Sequence, residues 1–301
     1  MAAWRRRSCR QGWLMTIPYP HIPPELVRIG PFAIRWYGLM YLVGYVVGYR
    51  IVRERIERGL VSLTPRDLDA LIGYLVVGML LGARLMYAIA YEPGHYLEAP
   101  LEFVRIWHGG LSFHGALIGM TSAAVVFARV RRAPFWPMAD TLALAGAPGL
   151  CFGRLGNFIN GELYGRVTTV PWAMVFPTDP LHLPRHPSQL YEAVAEGIVL
   201  FLVLRMVERR GVAGGWYRPG TLAAVFLIGY GVLRFLIEFT RQPDAQLGLV
   251  LGPFSIGQLL CTAMILAGSA LLAFVLTRDH SPQEPNRDPP VPSRGLDSGL
   301  S

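Results

Sequence analysis

PGTLAAVFLIGYGVLRFLIEF, residues 219–239, is the run from which the fold class follows. It holds two charged side chains, Arg234 and Glu238, among residues that are otherwise mostly apolar. A helix needs about 20 such residues to cross the hydrocarbon core of a bilayer. Six more segments share this character, at about 33–52, 68–90, 110–129, 138–154, 188–208 and 254–277. The segment at 138–154 is short and contains Pro148, which predicts a kinked or partly buried helix. The expectation is an all-α integral membrane protein with about seven transmembrane helices.

The composition agrees. Of 301 residues, 52% are hydrophobic and only 16% are charged. All 28 basic residues are arginine, against 20 acidic ones, for a net charge of +8. These arginines cluster between apolar blocks, which marks them as topology signals and argues against nucleic acid as a partner. Cys9, Cys151 and Cys261 are far apart and odd in number, so neither a disulfide framework nor a metal site is expected. No metal-binding or nucleotide-binding motif stands out, so the chemistry is expected to need no cofactor.

Orientation follows from the arginines in the short loops. Arg50, Arg53, Arg55, Arg58 and Arg66 follow the first span, Arg129, Arg131 and Arg132 the third, and Arg205, Arg209, Arg210 and Arg218 the fifth. Those loops are expected to be cytoplasmic, which places the amino terminus outside and the carboxyl terminus inside. Arg5, Arg6, Arg7 and Arg10 oppose this, and residues 1–14 are read as a mis-assigned or disordered extension ahead of Met15. Residues 15–277 form one membrane domain, and 278–301, rich in Pro, Ser and Asp, form a disordered cytoplasmic tail. The stretch VTTVPWAMVF and the prolines after it predict a small extracytoplasmic head of short strands between the fourth and fifth spans.

With that topology the unusual polar residues fall at one depth. His114 opens the third span, and GRLGNFINGELYGR, residues 153–166, closes the fourth. HPSQLYE, residues 186–192, opens the fifth; Tyr230, Arg234 and Glu238 recur every fourth residue on the sixth; Tyr37 sits near the outer end of the first. Ionisable groups inside a membrane are costly unless they pair or meet a polar ligand, so their convergence predicts one cavity. Two arginines on different helices suit a phosphate, and the phospholipid headgroup supplies one at that depth. Asn157 and Asn160 can bind neighbouring oxygens, while Glu162 and Glu238 either orient arginines or move protons.

HGGLSFHGALIG, GRLGNFINGELYGR, HPSQLYEA and YGVLRFLIEFTRQPD, with IRWYGLMYLVG in the first span, resemble the bacterial prolipoprotein diacylglyceryl transferases. The similarity runs in order over about residues 15–277. It implies a multi-pass protein of the bacterial inner membrane that moves the diacylglyceryl group of phosphatidylglycerol to the lipobox cysteine of a prolipoprotein signal peptide, forming a thioether and releasing glycerol phosphate. The resemblance marks Arg154, Arg234 and His114 as catalytic, supported by Tyr37, Asn157, Glu162, Gly165, Tyr230, Glu238 and Arg241. Ala116 stands where a second glycine often follows the histidine.

The implied reaction needs a thiolate and a stabilised leaving phosphate. His114 is a candidate base, and a field of arginines would serve the same end. Arg154 and Arg234 would clamp the phosphate as its charge grows. Plainer readings stand beside these. Arg166 and Arg241 could snorkel to the headgroups, Tyr37 could be an interfacial anchor, and Gln189 could cap a helix that starts near Pro187. The alternative function is a polytopic lipid-binding or transport protein without transferase activity.

Overall fold

Each apolar block folds into a helix close to its expected limits. The computed structural model describes residues 16–20, 22–30, 32–105, 109–242, 249–251 and 254–278. The expectations for residues 1–14 and for the tail beyond 278 lie outside the described residues.

An antiparallel hairpin, β1 (Glu25–Ile29) and β2 (Phe32–Arg35), leads into α1 (Trp36–Glu57). Then come α2 (Pro65–Ala90), the short α3 (Pro93–Glu98), a 3-10 turn at Pro100–Val104, α4 (Phe113–Val130) and α5 (Phe135–Ile159). A two-stranded unit, β3 (Met174–Val175) and β4 (Pro184–Arg185), precedes α6 (Ser188–Glu192). A π-helical stretch, Ala193–Val199, joins α6 directly to α7 (Leu200–Ala213). The chain continues through α8 (Thr221–Glu238), a hairpin of β5 (Leu249–Leu251) and β6 (Phe254–Ser255), and α9 (Ile256–Thr277).

Local chemistry sets the helix starts. In α2, Thr64 and Asp67 cap each other reciprocally and Pro65 occupies the first turn; Ser255 and Gln258 repeat the device at α9. Among the described residues four helices, at Pro65–Ala90, Phe135–Ile159, Thr221–Glu238 and Gly257–Thr277, are long and apolar enough to cross a membrane, and Gly115–Val130 is apolar but shorter. The other two expected spans are helical but carry more charge: Arg50, Arg53, Glu54, Arg55 and Glu57 on α1, and Glu192, Glu196, Arg205 and Glu208 along α6, the π-helical stretch and α7. The helix expected at 138–154 is longer than its apolar run and extends to Ile159, with Pro148 inside it.

Packing ties α2 to α4 through glycines. Side chains at Gly78, Gly82, Gly115 or Gly119 would collide with the facing backbone, so the two helices meet at backbone contact. One apolar core joins them to the start of α5 through Leu71, Phe127 and Met138, and a second joins α1, α5, α7 and α8 through Ile51, Leu144, Leu204 and Leu222. Beside that second core lies a buried ionic knot. Arg55 pairs with Glu208 and donates to Thr141 (2.9 Å) and the Tyr217 hydroxyl (3.1 Å), while Asp140 accepts from the Gly220 and Ala223 amides at 2.8 Å and so caps α8. This knot holds one end of the bundle together and leaves the site to the other.

Candidate active site

The site is organised around a carboxylate. Glu192, the last residue of α6, is fully buried and meets three guanidinium groups from two other segments. Arg154 Nε lies 2.7 Å and Arg234 Nη1 3.1 Å from its Oε2, and Arg241 Nη1 lies 2.9 Å from its Oε1. Arg154 comes from the last turns of α5, Arg234 from α8, and Arg241 from just beyond it. Glu238, one turn after Arg234, holds that arginine's other arm at 3.0 Å and lies 3.6 Å from Arg241 Nε. Its Oε1 in turn accepts from Ser255 Oγ at 3.0 Å, which ties α8 to the cap of α9.

Beside the arginines the α5 terminus supplies amides. Asn157 Oδ1 lies 3.5 Å from Arg154 Nη1, and its Nδ2 donates to Glu162 Oε1 at 2.9 Å. Asn160 reaches the same oxygen at a longer 3.4 Å. The Tyr37 ring packs where a side chain on Gly156 would otherwise stand, so the first helix closes this flank. Tyr230 stacks on Phe226 and packs with the apolar core below Arg234.

A small β unit covers the arrangement. Gly165 pairs with Arg241 and its amide donates to the His186 carbonyl at 2.8 Å; Arg166 donates from its backbone to Thr240 O and from Nε to Arg241 O, at 2.8 and 2.7 Å. A Cβ on Gly165 would collide with the Thr240 carbonyl and the His186 side chain, which explains the glycine without any ligand contact. Gln189 is fully buried and donates to the Glu162 carbonyl at 2.6 Å, a tertiary tie with no capping bond to α6. Asp179 pairs with Arg185 at 2.6 Å, and that guanidinium holds the Asp179 carboxyl below its usual range. Burial pushes the His186 imidazole down from its ordinary value. Tyr19, Phe158, Tyr164 and Phe176 form the apolar seat of this unit.

Arg154, Asn157, Asn160, Glu162, Gln189, Arg234, Glu238 and Arg241 are thus linked in one network. Arg241 belongs to it through its side chain, and Arg166 joins through its Nε bond to the Arg241 carbonyl. His114 occupies the second position of α4, and its side chain lies outside the described residues. The segment ahead of α4 is held by Arg84 of α2, which donates to the carbonyls of Phe103 (2.9 Å), Gly110 (3.1 Å) and Arg105 (3.2 Å), and also to those of Gly109 and Glu102. Glu192 and Glu196 are the residues sequence reasoning passed over. Two acids four apart inside an apolar run were the available signal. Glu196 is also fully buried, 3.8 Å from Arg234 Nη1. Among the described residues no group of three or more His, Cys, Asp or Glu could hold a metal ion.

Such a site, with three arginines held by buried carboxylates, can bind an anionic group and stabilise charge that develops on it. Comparison with known proteins agrees. The family described as prolipoprotein diacylglyceryl transferase matches residues 24–274. A Bordetella bronchiseptica protein named phosphatidylglycerol–prolipoprotein diacylglyceryl transferase is 51% identical over 259 residues, covering 86% of this chain and 97% of the relative. Proteins of the same name from Geobacter sulfurreducens and Rhodospirillum rubrum are 49% and 47% identical, covering 88% and 89% of this chain and 99% and 97% of their own lengths. With its apolar helices this makes the chain a multi-pass membrane transferase, and it belongs to the prolipoprotein diacylglyceryl transferase family.

Proposed function

We propose that this protein transfers the diacylglyceryl group of phosphatidylglycerol to the lipobox cysteine thiol of prolipoproteins. The observation that carries the reading is the convergence of Arg154, Arg234 and Arg241 on Glu192. The carboxylate aims the three guanidinium groups and leaves each with N–H donors for a phosphodiester. Sulfur attacks the glyceryl carbon, the carbon–oxygen bond breaks, and its electron pair goes to the phosphate oxygen. The thiol proton is balanced by the one gained by the departing glycerol phosphate. Arg154 and Arg234 stabilise the growing charge on that phosphate, and Arg241 completes the clamp.

His114 is assigned as the base that draws the proton from the thiol, and Asn157, Asn160, Glu162, Tyr37 and Tyr230 as the walls that position the lipid. Gly165 and Gln189 act by seating the covering unit against α8 and α5. The arginine-rich loops support seven spans in the bacterial inner membrane, with the amino terminus outside, the carboxyl terminus cytoplasmic, and the β unit at 160–187 as the extracytoplasmic head.

The test uses purified protein, phosphatidylglycerol and a synthetic lipobox peptide, with glycerol phosphate release and peptide mass read together. A diacylglyceryl mass gain that requires the cysteine, matched by phosphate release, is expected. Arg154→Ala and Arg234→Ala should each lower turnover by about 100-fold to 1000-fold, the cost of one lost transition-state donor. Lipid binding without either product would favour the non-catalytic alternative.

A further inference from the structure

The tyrosines of α1 recur every fourth residue, at Tyr37, Tyr41, Tyr45 and Tyr49, and form a ridge of which the site uses only the first. Tyr37 packs on Gly156, and its hydroxyl is 2.9 Å from that of Tyr41, with the rings edge-on. Tyr41 is 56% and Tyr45 50% exposed, beside exposed Leu42 and Val46. At the outer end of this face Gly38 has open space where a side chain would stand. The ridge therefore begins inside the site and runs out along the open side of α1, with a notch where another backbone can come close.

Depth separates these residues from an interfacial belt. Tyr45 lies nine residues after Trp36 and five before Arg50, the first arginine of α1, about 13 Å and about 8 Å along the helix. Anchoring tyrosines sit at the two membrane surfaces. The Tyr45 hydroxyl has no hydrogen-bond partner among the described residues, and its ring contact is Tyr49 at 6.2 Å. With the membrane placed as above, that hydroxyl faces hydrocarbon, where an unmatched polar group is costly and acyl tails carry nothing to match it. A polypeptide does carry matching groups. Where a spanning segment unwinds to present a thiol, its freed amides and carbonyls need partners inside the membrane.

We infer that the exposed ridge of α1, Tyr41 and Tyr45 with the Gly38 notch, is the docking surface for the membrane-spanning segment of the acceptor polypeptide. The apolar part of that segment lies along Leu42 and Val46, and its unwound part hydrogen-bonds the phenols on the way to the arginines. This rests on the transferase reading and specifies how the protein substrate reaches the site.

The experiment places the photoreactive residue p-benzoylphenylalanine at Tyr45 of the full chain, in vesicles containing phosphatidylglycerol and a precursor whose lipobox cysteine is replaced by serine. Light should yield an adduct with the precursor at position 45, and an adduct at least about tenfold weaker from a control at Leu266, which is 66% exposed on α9. An adduct with lipid alone, equal adducts at both positions, or none overturns the proposal. Tyr45→Phe should raise KM for a lipobox peptide about 3-fold to 10-fold, the effect of one hydrogen bond, and leave kcat and the KM for phosphatidylglycerol unchanged. An unchanged peptide KM counts against it as well. Transfer by the unsubstituted protein, in matching vesicles whose precursor keeps its cysteine, separates the two ideas: normal transfer without an adduct removes the docking surface alone, whereas absent transfer removes the reading beneath it.

Discussion

Replacing Glu192 by glutamine preserves shape and removes the charge on which three arginines converge. The wild-type carboxylate pairs with Arg154 and Arg234 through one oxygen and accepts from Arg241 on the other, with no exposure to solvent. Glutamine can keep one of those oxygens as an acceptor, but its amide then points donors at donors. The loss is not shared equally. Arg234 retains Glu238 at 3.0 Å, and Arg241 retains the same carboxylate at 3.6 Å, whereas Arg154 keeps only Asn157 at 3.5 Å. Removing one partner of a buried ion pair costs about 3–5 kcal/mol, so Glu192→Gln should lower the unfolding midpoint in detergent. Its functional effect should fall on Arg154, with turnover reduced by about 100-fold to 1000-fold, as for a lost transition-state donor. If Glu192 acts by aiming Arg154, the double variant Glu192→Gln/Arg154→Ala should be little worse than Arg154→Ala alone. The assay is peptide-dependent glycerol phosphate release at saturating lipid, with folding checked by thermal unfolding. Turnover within about threefold of wild type, which is under 1 kcal/mol, or fully additive losses in the double variant, would refute the reasoning.

Gly165→Ala introduces a methyl group against the Thr240 carbonyl and His186, so it should destabilise the protein by about 1–3 kcal/mol and reduce turnover by shifting Arg241; a variant with wild-type melting and activity would contradict the close contact. Arg84→Met should leave the Phe103, Gly110 and Arg105 carbonyls without their donor and speed proteolysis between residues 100 and 112, while an unchanged cleavage rate would make the contact dispensable. The Asp179 carboxyl is held below its usual range by Arg185, so its stabilising contribution is complete above the unfolded value of about 3.9 and is lost as pH falls through the lower folded value. Wild-type stability should therefore decline in acid more steeply than that of Asp179→Asn, as monitored by the unfolding midpoint between about pH 5 and pH 2.

Much of the helical framework was legible because it depends on local quantities. Spans expected at 68–90, 219–239 and 254–277 are helices at Pro65–Ala90, Thr221–Glu238 and Ile256–Thr277. Boundaries moved where a local signal was absent. Residues 32–35 join a hairpin ahead of α1, and α5 runs through Asn157 into the motif, so Arg154 stands on a helix. Gln189 resembled a cap by position, but its amide finds the Glu162 carbonyl 27 residues away in the chain. Glu192 was hidden for a related reason. Its partners are 38, 42 and 49 residues distant, and no pattern of spacing announces a pair formed across a bundle.

The sequence alone was sufficient for the membrane class, the helical segments and the polar motifs, because apolar run length, capping residues and arginine placement act over one or two turns. Tertiary structure decided which of those polar residues meet. It brought Arg241, which by sequence could be a surface anchor, into the same ion-pair network as Arg154 and Arg234, and it placed Glu192 at the centre. It also gave Gly165 a steric role in bringing the covering unit against α8. The reason is physical: a buried charge is tolerable only beside its counter-charge, and only the folded chain brings α5, α6 and α8 close enough to supply one.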